Sequence, residues 1–454
     1  MNPMKQIITA LCATVIANTV LAQALPKKPD AAQRESSLTA TDATAPVDKD
    51  KFVTREEYDA LLKRLIQVEA KLSASEKKTE TRQTEVDESL DDLEKQVKTT
   101  KSLATTAQPG NTKFLLTGYG SAGYEDRRGK NSTFTGSFNP IFLWHLNERV
   151  FFESELELEF DGNAATVNLE YANLSYLLNN YVTIKAGKFL SPFGIYADRL
   201  HAAWINKLPD APLPFGHTGI APFSELGVQV SGGFKLGPTK WHYALYASNG
   251  PRLNLGTDEP DEAGVLHFDN NTDLNNSKAV GGRIGFLPIP QLELGYSVQT
   301  GKVAADRNIR ATLQALDLSY VQDADWLNGT FDVRGEWVWS DVGRTTFDAG
   351  GELGFGPLTF NNKRNGGYVQ LAYRPSKVKQ ELLKNFELVG RWDMLNQPTG
   401  APGNGDERRW TIGLNYWLSS STVLKAAYEF GDRKDPVGGD GSVNAFLIQA
   451  AMGF

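Results

Sequence analysis

A two-residue period runs through the last three-quarters of this 454-residue chain and constrains its fold more than any other feature. Phe152, Ser154, Leu156, Leu158 and Phe160 alternate with Glu153, Glu155, Glu157 and Glu159, and Phe331, Val333, Gly335, Trp337 and Trp339 alternate with Asp332, Arg334, Glu336 and Val338. Successive side chains of a strand point to opposite faces, so each run reads as a strand with one apolar and one charged face. The same pattern sets Phe386, Leu388, Gly390 and Trp392 against Glu387, Val389, Arg391 and Asp393, and sets Leu424, Ala426, Tyr428 and Phe430 against Lys425 and Glu429. Sixteen such runs fall near 114–124, 133–146, 149–160, 166–178, 181–188, 225–234, 240–248, 279–286, 291–300, 312–321, 328–339, 367–374, 385–393, 408–418, 422–430 and 443–454.

Their connections alternate in length. Asn147-Glu148, Asn179-Asn180, Lys235 to Thr239, Leu287 to Pro290, the stretch after Val321, Arg374 to Lys384 and Leu418 to Ser421 are mostly short, whereas 189–224, 249–278, 301–311, 340–366, 394–407 and 431–442 are often long. A soluble sandwich has no reason to sort its loops this way, but an outer-membrane barrel does so by construction. The sequence therefore predicts an all-β transmembrane antiparallel barrel of about 16 strands over 113–454. Phe446, Ile448, Ala450, Met452 and Phe454 share one face of the last strand, an aromatic-ended pattern that acts as an assembly signal in such barrels. The competing reading is a secreted all-β adhesin or carbohydrate-binding protein.

The stretch before the barrel has a different grammar. Lys5, the apolar run from Ile7 to Leu21 and the small residues at Val20/Ala22 and Ala22/Ala24 form a signal peptide over 1–24, placing the mature chain outside the cytoplasm. Cys12 is the sole cysteine and lies in that run, so cleavage removes every thiol. Residues 25–52 read as a flexible linker. Over 53–100, Tyr58, Leu61, Leu65, Val68 and Leu72, and then Val86, Leu90, Leu93 and Val97, mark a helix with a narrow apolar seam. A lone helix with so thin a stripe buries too little to be stable, which favours a self-associating periplasmic coiled coil over a solvated helical spacer. Residues 101–112, with Pro109-Gly110, link it to the barrel.

Composition excludes several functions. The formal net charge of -7 argues against a nucleic-acid partner. The histidines His145, His201, His217, His242 and His267 sit in no local Ser/His/acid motif, which argues against a hydrolase. Four glutamates on one strand face suggest hard-cation ligands, but same-face residues stand about 6.6 Å apart, so a solvated wall is the better reading than a metal site. Neither a cofactor nor a resident metal is expected.

The segments AGKFLSPFGIYADRL (186–200), SELGVQVSGGF (224–234), ALYASNG (244–250), LELGYSVQTG (292–301), FELVGRWD (386–393) and TIGLNYWLSSSTVLKAAYEF (411–430) resemble the phosphate-selective porin O/P family. A coiled coil ahead of the barrel is similar to the arrangement in trimeric dicarboxylate-type porins and in a siderophore-uptake porin family. The resemblance implies a homotrimer of 16-stranded channels in the outer membrane of a diderm bacterium, surrounded by lipid and passing small hydrophilic solutes. It also implies that each channel is narrowed by an inward-folded third external loop.

On that mapping the loop is Phe189 to Ser224, and its titratable members Asp198, Arg199, His201, Lys207, Asp210 and His217 are the candidate constriction. The plainer reading is that its prolines stiffen a loop whose charges pair with the wall. Alternation places Glu153, Glu155, Glu157, Glu159, Asp332, Glu336, Glu387, Asp393 and Glu429 on the pore wall, with Lys185, Arg334, Arg374, Arg391 and Lys425. The family's anion-selective members carry Arg and Lys ladders, whereas 113–454 holds 31 Lys and Arg against 37 Asp and Glu. Carboxylate rings favour cations, so the wall predicts weak, cation-leaning selectivity unless the constriction overrides it. Passive diffusion is the first functional reading. A structural tether acting through its coiled coil, and a substrate-specific uptake channel for phosphate, dicarboxylate or siderophore, are the alternatives.

Overall fold

The computed structural model describes residues 113–454, apart from 162–163, 217–218, 258, 269–270, 274, 306, 349–355, 403–404 and 436–438. The expected signal peptide, both linkers and the coiled-coil helix lie outside the described residues.

Sixteen long strands close into one antiparallel barrel. In chain order they are β1 (Lys113–Arg127), β2 (Thr133–Asn147), β3 (Val150–Asp161), β4 (Ala164–Asn179), β5 (Val182–Leu190), β6 (Ser224–Leu236), β7 (Thr239–Ser248) and β8 (Ala279–Ile289). They continue as β9 (Leu292–Lys302), β10 (Arg310–Ala324), β11 (Gly329–Val342), β12 (Lys363–Arg374), β13 (Phe386–Asn396), β14 (Asp406–Trp417), β15 (Thr422–Asp435) and β16 (Ala445–Gly453). Each coincides with one of the sixteen alternating runs, and the structure lengthens several of them toward the long loops. Every strand pairs with its sequence neighbour, and β16 closes the ring on β1 from Tyr119↔Gly453 to Arg127↔Ala445. Closure removes the open sheet edges that a lipid environment does not tolerate.

The short turns are built from local polar chemistry. Asn147 Oδ1 accepts the Arg149 and Val150 N–H groups at 2.9 and 3.1 Å, and Asn179 Oδ1 accepts Tyr181 N–H at 2.8 Å. These are Asx turns, in which a side chain supplies the bond that the backbone cannot make. Asn328 takes the left-handed conformation at φ 53 to end the turn Asp325–Leu327. The connection between β12 and β13 is longer and contains the helical turn Glu381–Lys384.

Outward side chains form the apolar face. Leu245, Ile284, Leu316, Leu388, Ile412 and Ile448 are among those left exposed. Paired rings circle the short-turn end: Trp241 with Phe286 at 4.4 Å, Phe331 with Tyr373 at 4.9 Å, and Phe386 with Tyr416 at 4.9 Å. Nearer the long loops, Trp337 meets Trp392 at 6.4 Å and Trp392 meets Trp410 at 6.5 Å. From Phe331 to Trp339 is eight residues, about 27 Å along the strand and about 20 Å along the axis at a typical tilt. Two aromatic bands at that separation match the two interfaces of a bilayer.

Candidate functional site

The connection from β5 to β6 folds into the lumen rather than away from it. Its entry is fixed by a close approach: Gly194 has φ +71, and any Cβ there would fall 1.4 Å from Glu336 Oε1, so only glycine fits. Gly194 N–H donates to Ser297 Oγ at 3.0 Å, and the next two N–H groups, of Ile195 and Tyr196, donate to Glu336 Oε2 at 3.2 and 3.3 Å. Glu336 on β11 therefore replaces the helical partners that the short Tyr196–Leu200 turn lacks.

The strap then crosses the barrel, with an ion pair at each landing. Arg199 Nη1 contacts both oxygens of Glu293 on β9 at 3.0 Å. Glu293 also bonds Arg283 at 2.8 Å and His242 Nε2 at 2.8 Å, and Arg283 closes on Asp317 at 2.6 and 2.9 Å. On the opposite wall, Lys425 Nζ donates to the carbonyls of Ala203 and Asn206, the latter at 2.6 Å, and to Gln449 at 2.9 Å. Lys207 reaches Glu387 and lies 3.5 Å from Asp332, while Asn415 Nδ2 donates to the Lys207 carbonyl at 2.8 Å.

Asp210 occupies the densest of these landings. Arg127 Nη2 donates to it at 2.7 Å and Arg409 Nη1 at 3.2 Å, while Arg391 Nη1 takes the Asp210 carbonyl at 2.8 Å. Asp393 and Glu429 balance the three guanidiniums, Asp393 at 2.8 Å from Arg391 and 3.0 Å from Arg409, and Glu429 at 3.1 Å from both Arg127 and Arg409. Burial alone would raise the Asp210 carboxyl, but Arg409, Arg127 and Arg391 outweigh it and hold it below the usual range. Leu208 is fully buried between these landings against Ala372, Val389, Ala427 and Leu447.

Of the six sequence-derived loop candidates, Arg199, Lys207 and Asp210 are thus engaged with wall charges. His201 packs between Tyr119 and Phe223, its Nδ1 2.6 Å from the Ala197 carbonyl. Burial lowers its imidazole below the ordinary value, despite that carbonyl and the charges of Glu157 and Asp198. Asp198 is half-exposed beside Arg199, at 3.6 Å. His217 lies outside the described residues.

The wall candidates divide by side of the barrel. Asp332, Glu336, Glu387, Arg391, Asp393, Lys425 and Glu429 line the strapped side, where the loop or neighbouring wall charges engage them. Arg334 folds back on Asp332 at 2.8 Å, and Arg374 sits at the short-turn end over the Trp417 ring, donating to the Lys384 carbonyl at 2.8 Å. Arg127 at the end of β1 ties to Asp210 of the strap, and further round, on β2–β5, wall groups contact one another. There Glu153 pairs with Lys185 at 2.8 Å, Glu155 accepts the Tyr119 hydroxyl at 2.7 Å, and Glu157 hydrogen-bonds Glu170. Glu159 is exposed near the strand end.

Two cavities open toward the short turns beneath the strap. One of about 1140 Å³ is bordered by Glu153, Lys185, Asp198, Arg199, His242 and Arg283, and one of about 490 Å³ by Tyr119, Glu155, Tyr171, His201 and Trp204. Asp198 and Arg199 border both. At the other end the β8–β13 side is capped by an apolar core in which Phe193 and Ile220 of the strap meet Leu253, Leu266, Val303, Phe347 and Phe360 from the long loops. The Glu-bearing β2–β5 wall borders both cavities.

Arg283, Glu293, Asp317, Arg127, Arg409 and Glu170 take part in these networks but were not among the sequence candidates. Alternation in LELGYS and GGRIGF marks Glu293 and Arg283 as lumen-facing, which was the available signal. Glu170 gives none, because β4 is bulged there: Glu155 pairs with Tyr171 and Leu156 with Leu169, leaving Glu170 as the extra residue.

A closed sixteen-strand barrel with an apolar belt, a charged lumen and a loop strapped across it defines a transmembrane β-barrel. No protein-family model matches the chain, and no curated protein matches its sequence. Among solved structures it is similar to the outer membrane channel DcaP of Acinetobacter baumannii, at 14% identity and a TM-score of 0.48, over 76% of this chain and 99% of that one. The anion-selective porin from Comamonas acidovorans matches at 14% identity and 0.48, over 76% and 100%. The trimer form of OmpT of Vibrio cholerae matches at 13% and 0.44, over 76% and 99%.

Proposed function

We propose that the chain is an outer-membrane porin through which small hydrophilic solutes and ions diffuse passively, with a lean toward cations. The observation that carries this reading is the division of the lumen. Strap cations Arg199 and Lys207 are bound to wall carboxylates, whereas the β2–β5 side carries half-buried Glu153, Glu157 and Glu170, exposed Glu159 and buried Glu155, with Lys185 as a counter-charge. A passage whose cations are internally paired and whose open wall is carboxylate-rich attracts cations and repels anions. A barrel serving solely as a tether has no need of a charged, water-accessible lumen, so the two cavities favour the channel.

Within this reading the segments quoted above resemble the phosphate-selective O/P group, although the described wall residues form no basic ladder. A homotrimer joined by the 53–100 coiled coil is part of the same proposal, and native mass spectrometry of detergent-extracted protein tests it, a monomer counting against it. Single-channel recording in a planar bilayer tests the channel itself. Discrete conductance steps with a reversal potential on the cation side of a salt gradient are expected; absence of steps from folded, inserted protein would sink the reading.

A further inference from the structure

The loop between β7 and β8 contains a small closed structure of its own. Strands Arg252–Leu253 and Leu266–His267 pair at its base, and the turn Pro260–Glu262 lies at its head. Asn254 N–H donates to the Val265 carbonyl at 2.9 Å, Gly264 N–H to the Asn254 carbonyl at 2.8 Å, and Val265 N–H to the Glu262 carbonyl at 2.9 Å. Buried Ala263, Val265 and Leu266 fasten this ring to the apolar core, and Asn362 Nδ2 holds the Gly264 carbonyl at 2.7 Å.

The ring brings three donors together. His267 Nε2 lies 3.5 Å from Glu259 Oε2 and 3.6 Å from Glu262 Oε2, and all three ligand atoms fall within 4.8 Å of one another. Asn254 Nδ2, itself buried, steadies Glu259 Oε2 at 3.1 Å. The Nε2 atom is buried yet makes no hydrogen bond.

We propose that Glu259, Glu262 and His267 bind a borderline divalent transition cation such as Zn²⁺. A histidine held by a carboxylate closes to hydrogen-bond distance, as His242 does with Glu293 at 2.8 Å in this same chain. His267 stops well outside that range from both glutamates. Bonds of about 2.0–2.2 Å to a tetrahedral ion set its ligand atoms roughly 3.3–3.6 Å apart, which is the spacing His267 keeps. One nitrogen and two carboxylate oxygens leave a fourth position for water and select against Ca²⁺ and Mg²⁺, which prefer all-oxygen sites. The bound ion would cross-link head and base of the loop.

The test uses tag-free, full-length protein in detergent, stripped with a chelator and titrated with Zn²⁺ against a chromogenic competitor. One Zn²⁺ per chain should bind in this site, and His267→Ala and Glu262→Gln should each weaken it by about tenfold or more. His242→Ala should leave it unchanged, and Ca²⁺ and Mg²⁺ in large excess should not displace it. Gel migration before and after heating verifies that each barrel is folded, and Glu262→Gln decides if His267→Ala fails that check. Absence of Zn²⁺ uptake, or uptake unchanged in the folded His267 and Glu262 variants, would overturn the proposal.

Discussion

Asp210 Oδ2, on the strap inside the barrel, lies 2.7 Å from Arg127 Nη2 on the first strand and 3.2 Å from Arg409 Nη1 on the fourteenth. One carboxylate thus joins two walls and the loop, with Arg391 bonded to the neighbouring carbonyls of Asp210 and Ala211 at 2.8 and 3.3 Å. Removing one partner of a buried charge cluster costs about 3–5 kcal/mol, and partial access to water places this case near the lower end. Asp210→Asn should loosen the strap, raise single-channel conductance and move selectivity toward anions, since Arg127 and Arg409 lose their counter-charge. Unchanged conductance in a folded variant would mean that the other landings hold the strap without Asp210.

The open wall makes a separate prediction. Glu155→Gln with Glu157→Gln should shift the reversal potential toward anions by on the order of 10 mV, within the roughly 59 mV available to an ideal monovalent-selective pore in a tenfold gradient. The shift should shrink in 1 M salt, where the screening length falls to about 3 Å. If the double variant changes nothing and Arg199→Ala changes selectivity strongly, the strap governs passage and the wall does not.

The strands were legible because lipid outside and water inside enforce alternation at every position, from Phe152–Phe160 to Leu424–Phe430. The strap's route was not, because it depends on contacts between residues far apart in sequence, such as Lys207 with Glu387 and Lys425 with Ala203. Alternation assigns Glu387 and Asp393 to the lumen but is silent on whether a wall charge meets water or a loop. That distinction separates the two halves of this barrel. Glu170 gives no signal because a bulge shifts β4 by one residue, and a sequence gives no sign of the Tyr119 and Phe223 rings that enclose His201.

His201 gives the strap a pH dependence whose sign follows from burial. Its imidazole is lowered in the folded chain, so between the folded and unfolded values the unfolded chain binds more protons, and stability there rises with pH. The strap should be fully held above about pH 6.5, the ordinary imidazole value, and should loosen as the pH falls toward the lowered one. Hydrogen exchange of residues 196–206 should therefore quicken on acidification from pH 7 to pH 5. His201→Phe, which keeps the packing against Tyr119 and Phe223, should abolish the acid-dependent part; an undiminished response would show that His201 does not set it.

Phe454 joins the seam where the barrel closes. Phe454 N–H donates to the Gly118 carbonyl at 2.9 Å, Gly118 N–H returns a bond to Phe454 at 3.1 Å, and Thr117 Oγ1 donates to the same terminal carbonyl oxygen. The ring of Phe454 stacks on Phe138 with centroids 5.8 Å apart and planes 12° from parallel. Gly118, at φ +154, admits this approach, for a Cβ there would lie 3.0 Å from the Phe454 ring and 2.3 Å from the Asn139 carbonyl oxygen. Deleting Phe454 removes a reciprocal backbone pair at the seam that seals first strand to last, along with an aromatic anchor on the lipid face. The truncated chain should accumulate unassembled, with little heat-modifiable barrel in the membrane fraction. Phe454→Tyr should assemble normally, and Phe454→Ala, which keeps the backbone bonds but loses the stack, should assemble more slowly. Equal assembly rates for the three substituted and shortened chains, followed by pulse-chase, would show that neither contact guides closure.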